Sequence, residues 1–145
     1  MNYEFLDHTA DAKFRAYGSN IEISFCNAAL AMFSLLIEPE KVKTNLTKKI
    51  NIKSKKKESL LYDFLEELLF LLDTEGFLLH DVKDLKIKFF ENSFFLTCKV
   101  MGDHASNYKD IHGNIKSITY NDMIITENFS SIPDKKIMLQ VVLDL

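Results

Sequence analysis

The sequence contains no tryptophan, two prolines, two cysteines and four glycines in 145 residues. Two thiols with no CxxC or Cys/His spacing exclude a disulfide scaffold and a thiolate zinc site. Cys26 and Cys98, set in Ser-Phe-Cys-Asn and Leu-Thr-Cys-Lys-Val, read as reduced core thiols with no disulfide partner. The glycines, Gly18, Gly76, Gly102 and Gly113, are too scattered to cradle a phosphate, and no phosphate loop, dinucleotide fingerprint or nucleophile elbow occurs. A chain without these devices is expected not to be an enzyme. No stretch approaches the roughly 18 apolar residues of a membrane span, and the N-terminus lacks a basic region followed by an apolar run. The expectation is a cytoplasmic protein with no membrane contact. A basic excess is missing too: the net charge is -3, without the chain-wide footprint of phosphate neutralisation, so any connection to RNA is expected to be indirect.

What is present is core material. Hydrophobic residues make up 47% of the chain against 27% charged, and twelve phenylalanines supply bulky side chains for packing. The length suits one domain spanning residues 1–145.

Periodicity divides the chain into helices and strands. Ser19-Asn20-Ile21-Glu22 reads as a capping box, followed by a helix to about Leu36 with Phe25, Ala28, Ala29, Met32, Phe33 and Leu36 on one stripe. Glu38-Pro39 stops it. A second amphipathic helix is predicted over Glu58–Thr74, with Leu60, Leu61, Phe64, Leu65, Leu68, Leu69 and Leu72 on one face and Gly76 as its cap. Period-two patterns mark about six strands: 13–17, 47–53, 85–89, 94–100, 115–125 and 136–143. Glu91-Asn92-Ser93 carries turn residues between two of them, so the sheet should be mostly antiparallel. Grouped rather than alternating elements indicate an α+β fold, a single two-layer domain with two helices packed on the strands. The run Lys53-Ser54-Lys55-Lys56-Lys57 reads as a solvated turn, since no aromatic residues interleave and the following helix is acidic.

Two polar features could carry chemistry. Asp7-His8-Thr9-Ala10-Asp11 puts two carboxylates and an imidazole in five residues, although such clusters often just cap turns. At the other end, Val141-Val142-Leu143-Asp144-Leu145 is a strand pattern running to the last residue, placing anionic groups of Asp144 and Leu145 at one strand end. Such a cluster is costly unless a cation compensates it. If Asp11 lies nearby, the oxygen-only donors favour a hard divalent ion, calcium, magnesium or manganese, over zinc.

Four separated motifs, His8-Thr9-Ala10-Asp11, Leu60 through Leu69, Ile115-Lys116-Ser117-Ile118-Thr119-Tyr120 and Asp144-Leu145, resemble the archease family over nearly the whole chain. The resemblance implies a small α+β metal-binding accessory protein of the RtcB-type GTP-dependent RNA ligase, promoting its guanylylation and multiple turnover in tRNA splicing and RNA repair. It implies metal ligation by Asp11, Asp144 and Leu145, and makes Lys116 and His8 candidates for contacting the partner or an anion. Two departures from the family pattern stand out: Ala12-Lys13 replaces an aliphatic residue and glycine, and Asn121, given no role, replaces histidine. The competing readings are a general chaperone-like protein-binding module, for which Phe70 looks suitably exposed, and a metal-dependent phosphoesterase.

Overall fold

A computed structural model describes residues 2–7 and 11–145. The elements are β1 (Tyr3–Leu6), β2 (Ala12–Gly18), α1 (Ile21–Ser34), β3 (Leu46–Ser54), α2 (Lys57–Glu75), β4 (Phe77–Phe90), β5 (Ser93–His104), β6 (Ser117–Thr126) and β7 (Ile137–Asp144), with three short 3₁₀ turns between them. They form two antiparallel sheets, a four-stranded one in the order β1-β2-β7-β6 and a three-stranded one in the order β3-β5-β4. The α+β reading therefore holds, with seven strands in two sheets among the described residues where about six were expected. No helix among the described residues is long and apolar enough to cross a membrane.

The strand that periodicity missed is β1, whose four residues are too short to show an alternation. Its outer position needs only one partner, β2. Other boundaries moved for local reasons. The cap of α1 is Asn20, whose Oδ1 accepts from the Ile23 amide at 2.8 Å, so the expected Ser19 capping box is displaced by one residue. The helix ends at Ser34, after which tighter turn bonds such as Leu36 N–H to the Phe33 carbonyl take over. Gly76 does end α2, in the left-handed conformation at φ 67°. The strand expected from Leu85 begins at Phe77, because Phe77, Leu78 and Leu79 are buried without alternation and conceal the period. Glu91 and Asn92 both have positive φ, as a two-residue hairpin turn requires.

Both helices touch both sheets: α1 packs on β2, β7 and β4, and α2 packs on β3, β5 and β6. The helices meet through Phe25 and Phe64, whose rings stack 6.1 Å apart with both side chains fully buried. Gly102 serves the other end of this core, since a Cβ there would lie 1.8 Å from the Leu78 carbonyl oxygen on the neighbouring strand. Cys98 is buried and Cys26 half-buried, both free; burial pushes their thiols up to about 12 and about 11.

Phe64 joins the two helices over both sheets, so Phe64→Ala should remove about 3–5 kcal/mol of stability through lost burial and the cavity left behind. Urea unfolding checks this: the midpoint should fall while the denaturant slope is unchanged.

Candidate functional site

The middle of the four-stranded sheet decides where the polar groups meet. β7 runs between β2 and β6, and every residue from Ile137 to Leu143 is buried. Its register pairs Leu143 with Ala12 on one side and Asp144 with Ser117 on the other. Asp11 precedes Ala12 by one residue, so it stands at the level of Asp144 on the adjacent strand. On the far side, the Lys116 amide donates to the Asp144 carbonyl at 2.8 Å. Asp11 and Asp144 are half-buried, and Leu145 is 41% exposed. Asp7 follows β1 at this same end of the sheet, while His8 lies outside the described residues.

Of the residues singled out from sequence, the fold thus brings Asp11, Asp144, Leu145 and Lys116 to one end of one sheet. Among the described residues, no three side chains of histidine, cysteine, aspartate or glutamate form a metal cluster. What the sheet end offers is two carboxylates on adjacent strands beside main-chain oxygens, a donor set whose chemistry fits a hard divalent ion.

Lys116 also lines a groove of about 240 Å³ with Glu66, Phe70 and Asp73 of α2. Phe70 is 56% exposed there, and the acidic face continues into a second groove through Asp63 and Glu67. Tyr62 of α2 stacks on Tyr120 of β6 at 4.2 Å and 8°, which ties this helix face to the strand that carries Lys116. Burial, then the nearby carboxylates, raises both phenols above their ordinary range. The Tyr62–Tyr120 pair joins residues 58 positions apart, so no local sequence signal announces it.

These observations stand beside a clear kinship. A family model described as the archease protein family matches residues 3–145. The chain belongs to the archease family. It is 38% identical over 144 residues to a protein named archease from Thermococcus kodakarensis, covering 99% of this chain and 98% of that one. A Methanosarcina barkeri archease is 37% identical over 126 residues, 86% of each chain. A solution structure of a Methanobacterium thermoautotrophicum protein superimposes with a TM-score of 0.81 at 35% identity, covering 99% of both chains. Archease relatives at this similarity indicate an accessory type of protein.

Sequence reasoning passed over Asp103, near the end of β5 in the three-stranded sheet. Its carboxylate is buried and accepts from Tyr108 Oη at 2.8 Å, Asn107 Nδ2 at 3.0 Å, the His104 amide at 2.9 Å and, more loosely, Asn45 Nδ2 at 3.4 Å. The Tyr108 hydrogen bond leads these contacts in holding the Asp103 carboxyl below its usual value, against the cost of its burial. Tyr108 in turn accepts the Lys43 amide at 2.7 Å. This knot fixes the start of the segment that leads from β5 to Lys116 and β6. It gave no advance signal, since the period-two pattern ends at Val100 and leaves Asp103 outside the predicted strand.

A depressed carboxylate contributes stability above its unfolded pKa, about 3.9, and loses it as pH falls through the folded value. Asp103→Ala should therefore lower the urea midpoint at pH 7 and lower it less at pH 3, below the unfolded value of the carboxyl. An equal loss at both pH values would refute the role of the ionised group.

Proposed function

We propose that this chain is the metal-binding accessory protein of an RtcB-type RNA ligase, promoting the ligase's guanylylation and repeated turnover in tRNA splicing or RNA repair. Membership of the archease family carries the reading, and the register that sets Asp11 level with Asp144 supports the location. Asp11 and Asp144 would hold a divalent ion, calcium before magnesium or manganese, through their carboxylates, with Leu145 adding oxygen. Bound there, the ion supplies positive charge that offsets two neighbouring carboxylates, and so favours an approach to an anionic centre on the ligase. The chain's own share is positioning: β7 fixes Asp144 between its two neighbours, and Lys116 beside it offers a cationic contact. The ligase supplies the covalent chemistry, which suits a sequence with no nucleotide motif. The role is accessory rather than catalytic, exercised in the cytoplasm on a protein partner.

A protein-binding role without coupling to catalysis draws on one observation, the exposed Phe70 within an acidic groove. The two readings separate in multiple-turnover ligation by the cognate ligase with GTP and manganese, this protein being substoichiometric. Stimulation should appear and should drop by about tenfold or more in Asp11→Ala, the equivalent of about 1.4 kcal/mol. Calorimetric calcium affinity should fall in parallel for Asp11→Ala and Asp144→Ala, with unchanged thermal midpoints. Undiminished stimulation by Asp11→Ala would overturn the metal-site reading, and no stimulation of an active ligase would favour the protein-binding module.

A further inference from the structure

The net charge of -3 averages over unlike surfaces. In the three-stranded sheet, Lys49 of β3 pairs with Lys99 of β5, which pairs with Lys83 of β4. Three lysines therefore form one rung across the sheet. The next rung of like parity is Asn51, Thr97 and Lys86, and the one beyond is Lys53, Phe95 and Lys88. Side chains alternate with period two, and the shift in β4 at Asp84 keeps Lys83 and Lys86 on one side, so all three rungs share a face. The six lysines are exposed.

Two aspartates temper this array: Asp81, 3.2 Å from the Lys83 ammonium, and Asp84 at the bulge. Among the described residues, Lys83 is the one lysine of the six in an ion pair. Like charges directly opposite each other destabilise a strand pair, and a solvated sheet face ordinarily alternates their sign. A lysine rung three strands wide breaks that rule, which points to an anionic occupant.

The neighbours of the lysines say which kind. Phe95 stands between Lys53 and Lys88, with the Lys53 ammonium 5.5 Å from its ring centre. Phe90, two residues beyond Lys88 on the same face, is 63% exposed. Strand geometry spaces the cations about 5 Å across the sheet and about 7 Å along it. A periodic cation array with aromatic rings inside it suits a chain that repeats a phosphate and a flat base, better than it suits the scattered carboxylates of an acidic protein.

We propose that the solvent face of β3, β5 and β4 binds single-stranded nucleic acid, its lysines contacting phosphates while Phe95 and Phe90 receive bases. The face is separate from the end of the other sheet that holds Asp11 and Asp144, and binding there requires neither a metal nor a ligase. An outcome here is therefore distinguishable from failure of the ligase reading.

The test is fluorescence anisotropy of a labelled single-stranded RNA of about 12 nucleotides against the full chain over a range of salt. Wild-type affinity should fall steeply with salt, by a log–log slope of about 0.7 per phosphate contacted. The variant carrying Lys49→Gln, Lys83→Gln and Lys99→Gln should bind at least about tenfold more weakly, with a slope smaller by about 2. Phe95→Ala should weaken binding by roughly fivefold or more. Because removing opposed charges relieves repulsion, the triple variant's thermal midpoint should hold or rise. Lys99→Gln alone provides the same comparison should the triple variant fold poorly, and Lys136→Gln, beside β7 of the other sheet, should leave binding unchanged. No salt-dependent RNA binding, equal loss in Lys136→Gln, or displacement of RNA by polyglutamate at equal charge concentration would overturn the proposal.

Discussion

The constraint on which the structure depends is the position of β7. It is the strand between β2 and β6, so removing it leaves each of them without that partner. Ile137 through Leu143 are all buried, and burying an aliphatic side chain of this size contributes about 1.5–3 kcal/mol. The one polar side chain in that run, Gln140, accepts from Arg15 Nε at 3.0 Å and donates to the Asp122 carbonyl at 2.9 Å. A buried amide with both ends satisfied fixes register, since a slip of one residue would turn Gln140 to the opposite face and strand both partners. Fixed register is what sets Asp144 level with Asp11 and Ser117.

How far the sequence revealed this depended on the range of each interaction. Both helices and six of the strands were legible because periodicity is local: every third or fourth residue of α2 is apolar, and alternate residues of β3 are polar. Gly76 was legible as a cap for the same reason. β1 was not, being four residues long, nor was the start of β4, where burial on both faces removes the alternation. The cap of α1 was off by one because Ser19 and Asn20 both suit the role, and only backbone geometry chooses between them. For the site, the carboxylates were legible as residue types but their convergence was not. Asp11 and Asp144 are brought level by pairing β2 with β7 across nearly the full chain, a relation that composition cannot carry.

Charge illustrates the same limit from the other side. A net value of -3 correctly excludes a uniformly basic protein but says nothing about how the charges sort. Lysines at 49, 53, 83, 86, 88 and 99 look like the polar half of ordinary strands when each is read alone. Only the antiparallel register places Lys49, Lys99 and Lys83 in line. Asp81 and Asp84 sit among these lysines, and further acids gather on α2 as Asp63, Glu66, Glu67 and Asp73, the first three in a groove that Lys53 also lines. Repulsion among the lysines is screened only partly, since adjacent positions in a rung lie within a Debye length at physiological salt, about 8 Å.

This sorting has a consequence for assembly. The four-stranded sheet closes only when the last strand inserts beside β2, whereas β4 and β5 form a local hairpin that then pairs with β3. Loop-closure entropy makes the first event costly and the second cheap. The lysine face can thus form from contiguous chain between residues 46 and 104, while the carboxylate pair at Asp11 and Asp144 forms only once both ends of the chain have met. An accessory protein built this way presents its paired carboxylates only in the fully folded state. The buried run of β7 that stabilises the fold is therefore also what assembles the site.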